Sequence, residues 1–351
     1  MIRVLIVDDS PTSRALMRHI VQGQSDMQIV GEAENGHQAV EMTRAHRPNV
    51  ILMDIVMPFM DGLEATKIIM AQTPTPIVMV SGAIEGQETE MAFRAIRQGA
   101  LSLLPKPVGP QDPEFPEQAA RITSNLRALA GVRVIHHITR PQNSAGQPMQ
   151  TTLQQTVESQ PEIVAIVAST GGPAALAEIV QGLAPDFKLP VVIVQHIAKD
   201  FLESLVSWLN RITPLHVELA VAGQKLRPGH VTFAPTGKHL VFDAEKRIAF
   251  TPTPQHPHMP SGDVLLASVA ERYGSSAIGV VLTGMGADGA TGLLDMRRKG
   301  AVTIAQDAAT SAVYGMPKEA ANNGAAQHVL PLTSIPRVLN NLAQGVSIAE
   351  S

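Results

Sequence analysis

Short runs of aliphatic and β-branched residues alternate with amphipathic stretches along the first 107 residues of the chain. The amphipathic stretches carry apolar residues at helical spacing, and the runs between them are nearly all apolar, which is typical of buried parallel strands. This alternation predicts a doubly wound parallel sheet. The predicted strands are 4–7, 28–31, 50–53, 77–80 and 101–104, and the predicted helices are 13–22, 36–46, 61–72, 88–98 and 116–130.

The pattern changes after residue 130, where Pro, Gln, Ser and Thr accumulate and apolar periodicity fades. As a flexible coil, this segment would span roughly 30 Å. The alternation resumes at Ile163, so we expect two α/β domains, 1–130 and 161–347, joined by a linker, 131–160. In the second domain the predicted strands are 163–168, 191–194, 230–234, 277–283 and 302–305, and the predicted helices are 173–182, 201–210, 264–273 and 289–299.

Composition narrows the function classes. A chain of 351 residues suits two domains, and its hydrophobic and charged fractions of 44% and 17% are those of an ordinary globular protein. The net charge is −4 and no basic run occurs, so we expect no nucleic-acid partner. The absence of cysteine excludes disulfides and thiolate sites. No apolar stretch approaches the ~20 residues of a membrane span, so we expect no membrane insertion and a cytoplasmic location.

Three carboxylates stand at predicted strand ends in the first domain. Asp8 and Asp9 follow the first strand and Asp54 ends the third. Because parallel strands bring their carboxyl ends to one edge of the sheet, these groups should converge, and Mg²⁺ would relieve their repulsion. Ser81 ends the fourth strand and Lys106 follows the fifth, offering a hydroxyl and a cation for a phosphoryl group. Taken singly, each aspartate could merely cap a helix or a turn.

Together these positions resemble a response-regulator receiver domain. The motifs are Asp8-Asp9, Asp54-Ile55-Val56-Met57-Pro58, Met60-Asp61-Gly62, Ser81-Gly82-Ala83 and Lys106-Pro107. The resemblance covers about residues 1–130 and implies a flavodoxin-like (βα)5 fold that a histidine kinase phosphorylates. It also implies a role for each position: Asp54 as phospho-acceptor, Asp8, Asp9, Asp54 and the Val56 carbonyl around Mg²⁺, and Ser81 and Lys106 as phosphoryl-sensing groups.

In the second domain, a candidate nucleophile follows the first apolar strand. Ser169 comes directly after that strand and four residues before Pro173, which suits the first turn of a helix. The serine therefore sits on a tight bend beside the positive end of a helix, a place that favours a developing oxyanion. A phosphate-binding loop is the obvious alternative, but the sequence has no Gly-Lys-Ser/Thr ending and Pro173 removes an N–H.

A base and an orienting carboxylate are needed beside the serine. His196 ends another apolar strand at the same predicted edge, and Asp288 follows the glycine-rich turn after the strand near residue 280. Asp288 could instead cap the helix that starts near Gly289. The order Ser169, His196, Asp288 differs from that of the α/β-hydrolases. Ordinary core or surface roles are expected for the other histidines considered: His136, His137, His216, His230, His239, His256 and His258.

The blocks around these residues resemble the catalytic domain of the CheB family of chemotaxis protein-glutamate methylesterases. They are 168–172, 195–196, 234–235, 282–289, 305–307 and 314–320. The resemblance covers about residues 160–345 and implies a Rossmann-like α/β esterase domain. It also implies Ser169 as nucleophile, His196 as general base, Asp288 as its partner, and the backbone N–H groups of Thr170 and Met285 as oxyanion donors.

Two positions depart from the family pattern. Gly262 stands where a valine is usual, and Thr236 where a second glycine is common. Neither is one of the three catalytic candidates, so the departures bear on the expected shape of the substrate groove.

The two resemblances together imply a phosphorylation-activated methylesterase that hydrolyses glutamate methyl esters on chemoreceptor helices during adaptation. They also imply a glutamine deamidase activity, and no cofactor for ester hydrolysis. Two alternatives stay open from sequence alone: a second domain that only binds a partner, and an esterase for some other methyl ester.

Overall fold

The computed structural model describes residues 1–82, 87–132, 160–253 and 255–346. Most of the predicted linker and two of the predicted ordinary histidines, His136 and His137, lie outside these ranges. The elements of the N-terminal half are β1 (Ile2–Val7), α1 (Pro11–Gln22), β2 (Met27–Ala33), α2 (Gly36–His46), β3 (Val50–Asp54), α3 (Gly62–Gln72), β4 (Ile77–Ser81), α4 (Gln87–Arg97), β5 (Ser102–Pro105) and α5 (Phe115–Leu129).

The N-terminal sheet has the strand order β2-β1-β3-β4-β5, and every pair is parallel. This is the flavodoxin-like order, in which the chain changes direction across the sheet between β1 and β3. Its strands are buried because helices cover both faces, and the helices present apolar stripes such as Met17, Ile20 and Val21 of α1. The predicted doubly wound sheet is confirmed. Its polar carboxyl edge lies where β1 and β3 end side by side.

The C-terminal half contains a larger set of elements. They are β6 (Ile163–Ala168), α6 (Gly172–Gly182), β7 (Val191–Gln195), α7 (Lys199–Ile212), β8 (His216–Leu219), β9 (His230–Phe233), β10 (His239–Phe242), β11 (Ile248–Thr251), α8 (Gly262–Tyr273), β12 (Ala277–Val281), α9 (Ala290–Arg298), β13 (Val302–Gln306), α10 (Met316–Asn322), β14 (His328–Leu330) and α11 (Ile335–Ala343).

The second sheet has seven parallel strands in the order β14-β13-β12-β6-β7-β9-β8. The chain starts at β6, builds outward through β7 and then returns to the other side through β12, so the carboxyl ends of these three strands flank a topological switch point. Open α/β sheets bind their ligands at such a point. A Rossmann-like parallel fold is thereby confirmed. The antiparallel hairpin of β10 and β11, which the sequence pattern did not predict, packs beside this sheet.

The two halves are in contact. Phe93 of α4 stacks on Trp208 of α7, with ring centroids 5.2 Å apart and an angle of 15° between the planes. Both side chains are buried. The backbone N–H of Gly171 donates to the carbonyl of Leu101, which lies just before β5, at 3.1 Å. The α4–β5 side of the N-terminal domain therefore lies against the carboxyl edge of the second sheet. In the described ranges, no helix is long and apolar enough to span a bilayer.

Candidate active site

A cavity of about 580 Å³ lies between the two domains at the carboxyl edge of the second sheet. One wall belongs to the N-terminal domain and the other carries the predicted catalytic edge. Its residues include Leu101, Leu103, Arg121 and Asn125 from the first domain and Ser169, Thr170, His196, His258, Met285 and Gly286 from the second.

Ser169 is held at the end of β6 by backbone bonds on both sides. Its N–H donates to the carbonyl of Thr283 at 3.0 Å, and its own carbonyl accepts from Gly172 at 2.8 Å. The turn requires Gly171, whose φ of 79° is in the left-handed region. Helix α6 begins directly afterwards with Pro173 in its first turn, as predicted. The serine therefore stands on a rigid strand-to-helix bend at a helix N-terminus.

His196 lies beside Ser169 because the strands are in register. Ala168 of β6 pairs with Gln195 of β7, so Ser169 and His196 are the next residues of the two neighbouring strands. The N–H of His196 continues the ladder by donating to the carbonyl of Ala168 at 2.9 Å. Gln195 also joins the two, because its side-chain amide donates to the carbonyls of Ser169 and His196, both at 2.9 Å.

Asp288 completes the arrangement from the turn after β12. Its Oδ2 lies 2.8 Å from Nε2 of His196. This separation is within hydrogen-bonding distance. The other ring nitrogen, Nδ1, is buried and has no hydrogen-bond partner among the described residues. The structure thus brings all three predicted residues to one place, with Nδ1 left available as an acceptor.

The N-terminus of α8 holds the Asp288 carboxylate in place. Oδ1 accepts the Ser261 hydroxyl at 2.7 Å and the Asp263 N–H at 3.0 Å, while Oδ2 accepts the Gly262 N–H at 2.6 Å. Burial alone would raise the pKa of Asp288, but the hydrogen bond and charge of His196, together with these donors, lower it well below its usual range. The carboxylate therefore stays ionised at neutral pH.

The bonds between α8 and α9 are reciprocal. While Asp288 accepts from the first turn of α8, Asp263 of α8 accepts the N–H groups of Gly289 and Gly292 at 2.9 and 2.8 Å, at the start of α9. The N-terminus of α8 thus binds the carboxylate that precedes α9, and the N-terminus of α9 binds a carboxylate of α8. Both contacts satisfy backbone N–H groups that have no partner within their own helix, and both place negative charge at the positive end of a helix dipole. A capping interaction of this kind contributes about 1 kcal/mol.

The predicted oxyanion donors both line the cavity. Thr170 is the residue after the serine, and Met285 lies in the turn after β12. Neither backbone N–H donates a hydrogen bond within the part of the chain that the structure describes. Both groups are therefore free to bind an oxygen in the cavity.

Two histidines predicted to be ordinary lie instead at this site. The His258 ring stacks on His196, with centroids 4.4 Å apart and an angle of 20° between the planes. Nε2 of His256 lies 3.7 Å from Oδ1 of Asp288. Burial, followed by the neighbouring His196, lowers the pKa of His258, so a neutral ring is favoured there. The expectation failed because a loop, 255–260, carries these residues to the edge, and no periodic pattern reports where such a loop returns.

The departure at Gly262 has a packing reason. A Cβ added to Gly262 would approach Cγ1 of Val167 in β6 at 2.3 Å. Gly262 is buried and does not line the cavity, so this position affects the support of Asp288 rather than the groove. Thr236 is also absent from the cavity wall.

The polar edge of the N-terminal sheet gathers the other predicted residues. Lys106 Nζ lies 2.8 Å from Oδ2 of both Asp8 and Asp54. Ser81 is buried at the end of β4, and its carbonyl accepts the Lys106 N–H at 2.8 Å. Val56 lies partly exposed in the loop after β3.

The carboxylates of this edge fit a hard divalent cation. Ligand oxygens of Asp8, Asp9 and Asp54 lie within 4.8 Å of one another. Burial, the largest cause, and the neighbouring Asp8 raise the pKa of Asp54 to about 6 despite its hydrogen bond to Lys106. Such crowding is what a Mg²⁺ ion would relieve, and carboxylate oxygens are its preferred ligands.

A flavodoxin-like domain with a lysine-bridged aspartate site is joined here to an α/β domain with a Ser-His-Asp cluster. Fold and sites together define a response regulator with an enzymatic output domain.

Comparison with known proteins gives the family. The CheB methylesterase family matches residues 164–339, and the response regulator receiver domain matches residues 4–113. The protein-glutamate methylesterase/protein-glutamine glutaminase 3 of Hahella chejuensis is 41% identical over 97% of this chain and 98% of its own length. Its counterpart numbered 4 in Geobacter metallireducens is 41% identical over 98% of this chain and 99% of its own.

A solved structure agrees. The Thermotoga maritima CheB methylesterase catalytic domain superposes with a TM-score of 0.50 at 37% identity, covering 52% of this chain and all of that one. The chain therefore belongs to the CheB methylesterase family of carboxylic ester hydrolases and carries an N-terminal receiver domain.

Replacing Gly262 by valine should destabilise the catalytic domain by about 1–3 kcal/mol, because the side chain would overpack against Val167. Denaturant unfolding of the full chain measures the loss. The double variant Gly262→Val with Val167→Ala should recover much of it, and Val167→Ala alone is the control. A single Gly262→Val variant as stable as the parent would contradict this account of the position.

Proposed function

We propose that the chain is a protein-glutamate methylesterase that also deamidates glutamine, and that phosphorylation of its receiver domain activates it. The observation that carries the proposal is the position of Ser169 and His196. They directly follow Ala168 and Gln195, which are register partners in β6 and β7, and Asp288 lies 2.8 Å from the histidine ring. Methylated glutamates on the cytoplasmic helices of chemoreceptors are the proposed substrate, and a histidine kinase of the chemotaxis type is the proposed phosphodonor. Both partners act in the cytoplasm, which is the proposed location.

The proposed chemistry begins with attack by the Ser169 hydroxyl on the ester carbonyl carbon. Because Asp288 faces Nε2 of His196, that nitrogen carries the hydrogen and Nδ1 carries the lone pair that accepts the serine proton. The ionised Asp288 stabilises the imidazolium that forms. Stacking with His258 limits rotation of the ring, and Nδ1 has no hydrogen-bond partner among the described residues.

The tetrahedral oxygen would be bound by the N–H groups of Thr170 and Met285 at the start of α6 and in the turn after β12. Collapse of this intermediate transfers the proton from His196 to the leaving methoxide and releases methanol. Water, deprotonated by the same histidine, then cleaves the acyl-serine to glutamate. With a glutamine side chain the leaving group is ammonia, and the remaining steps are unchanged.

Regulation by the receiver is supported by the closed position of the two domains. The N-terminal domain forms one wall of the cavity around Ser169, and the Leu101 carbonyl accepts a hydrogen bond from the N–H of Gly171, two residues after the serine. A receptor helix needs this edge to be open. We propose that phosphorylation of Asp54 weakens the contact, and a tenfold change in the open population needs only about 1.4 kcal/mol.

Mg²⁺ fits the receiver site described above, where Asp8, Asp9, Asp54 and the Val56 carbonyl would hold it. When bound, the ion neutralises charge on the carboxylates and the phosphoryl oxygens. Lys106, which reaches both buried aspartates, is placed to pair with a phosphoryl group on Asp54, and the Ser81 hydroxyl ends the adjoining strand. No cofactor is proposed for the ester hydrolysis.

Ser169→Ala and His196→Ala should each reduce methanol release from methylated receptor membranes by about 10⁴-fold or more, because removing one member of a catalytic unit abolishes the contribution of the others. The double variant should be little worse than either single one. Asp288→Asn should cost less, because it disturbs orientation more than bond making. Independent, multiplicative losses would contradict a shared unit, and unchanged turnover would contradict the proposed activity.

Acyl-phosphate labelling with a small phosphodonor should require Mg²⁺ and should disappear in Asp54→Ala. That variant should keep its basal esterase rate, because Asp54 lies on the receiver sheet away from Ser169. Labelling that persists in excess chelator would contradict the metal requirement. Asp61→Ala, in the same loop region but without a ligand role, is the control and should still be labelled.

Trp208→Ala should raise the basal esterase rate of the unphosphorylated full chain several-fold, because it removes the stacking partner of Phe93 across the domain contact. The same substitution in a fragment of residues 161–351 should change little, since that fragment lacks the receiver. The fragment itself should be faster than the full unphosphorylated chain and indifferent to phosphodonor. A folded fragment slower than the full chain would contradict inhibition by covering.

A further inference from the structure

A second cluster of histidines and a carboxylate lies on the catalytic domain, away from Ser169. His216 and His230 are the first residues of the neighbouring parallel strands β8 and β9, and they are register partners. Glu218 follows His216 by two residues, so all three side chains project from the same face of the sheet. They stand at the amino ends of their strands, on the opposite edge from the catalytic serine.

The three side chains converge closely. Nε2 of His216 lies 3.3 Å from Oε2 of Glu218, and Nδ1 of His230 lies 3.2 Å from Oε1 of the same carboxylate. One ligand atom from each residue can be chosen so that all lie within 4.8 Å of one another. Donor atoms around a tetrahedral Zn²⁺ with bonds of about 2.0–2.1 Å are about 3.3 Å apart. The two nitrogen–oxygen separations, each to a different oxygen of Glu218, are close to this value, and the 4.8 Å limit leaves a small adjustment for a tetrahedral cation to bind one atom of each residue.

From this geometry we propose that His216, Glu218 and His230 form a binding site for a divalent transition-metal ion, with Zn²⁺ as the physiological class. Two imidazoles and one carboxylate are a zinc donor set and are too nitrogen-rich for Mg²⁺ or Ca²⁺. Three protein ligands leave a fourth position for water.

The surroundings of the cluster supply the supporting shell that such sites need. The side-chain amide of Gln224 donates to Oε1 of Glu218 at 2.7 Å, which fixes the carboxylate as outer-sphere donors do in metal sites. Thr232 lies opposite Glu218 on the same face, and its buried hydroxyl has no hydrogen-bond partner among the described residues. A metal-bound water is a group that can satisfy such a hydroxyl. The Arg227 guanidinium lies 3.9 Å from Oε2, and its positive charge would oppose a bound cation, but it sits on an exposed side chain that can move away.

The expected consequence is local. Strand β8 has four residues and is the edge of the described sheet, where it pairs with β9, so a metal that bridges the two strands would stabilise this edge. Binding that favours the folded state raises the unfolding temperature by mass action. Ester hydrolysis should not respond, because the cluster lies at the opposite ends of the strands.

Co²⁺ titration of the full chain, with Mg²⁺ in excess to occupy the receiver carboxylates, tests the proposal by visible absorption. We expect the bands of one tetrahedral Co²⁺ per chain, displaced by one equivalent of Zn²⁺. His216→Ala and His230→Ala should each abolish them, and the isosteric Glu218→Gln should weaken binding at least tenfold. Zn²⁺ should raise the unfolding temperature of the parent and not of His216→Ala.

Two controls separate this site from others. His37→Ala removes an exposed histidine of the receiver and should leave the titration unchanged. His256→Ala removes a ligand from the second possible cluster, formed with Asp263 and Asp288 beside the active site. Tetrahedral bands lost in His256→Ala and retained in His216→Ala would overturn the proposal, as would a titration that gives only octahedral Co²⁺. Esterase rates of His216→Ala and His230→Ala equal to the parent are expected, so failure here is distinct from failure of the esterase.

Discussion

The exchange of carboxylate caps between α8 and α9 is the interaction on which the candidate active site depends. Asp288 accepts three hydrogen bonds from the start of α8, and Asp263 accepts two from backbone N–H groups at the start of α9. An isolated buried carboxylate would take up a proton, whereas one held at a helix N-terminus stays charged. The hydrogen bonds from the first turn of α8 therefore fix the position of Asp288 against His196. Together with the hydrogen bond and charge of His196, they keep the carboxylate ionised.

The rest of the site follows from strand register. Because β6 lies between β12 and β7, a single residue step past Ala168 and Gln195 sets the serine beside the histidine, and the turn after β12 brings the aspartate. Strand register also positions the receiver site at its own switch point, where Asp8 and Asp54 come directly after the register partners Val7 and Met53 of β1 and β3. The same rule thus positions both sites. The contact between the domains places the α4–β5 side of the receiver against the edge of the second sheet that carries Ser169.

Sequence patterns located most of the long buried strands and amphipathic helices to within a few residues, because these carry a strong apolar period, but helices α10 and α11 were not predicted. They missed β8, β10, β11 and β14, which have three or four residues and lie at edges or in a separate hairpin. Strands of three or four residues contain too few positions to show a period. The sequence pattern also does not bring His216 next to His230, because only β9 of the two neighbouring strands is predicted and β8 is not.

The sequence by itself determined the two parallel α/β folds and indicated the candidate residues of both sites, namely the receiver carboxylates and Ser169, His196 and Asp288. These residues follow strands, and strand ends in parallel sheets converge at one edge. Only the tertiary structure decided that Ser261 and Gly262 hold Asp288, that His258 stacks on His196, and that the receiver wall faces the serine. Those relations join residues far apart in the chain through loops and a domain contact. Loop paths depend on packing between elements, which no local period encodes.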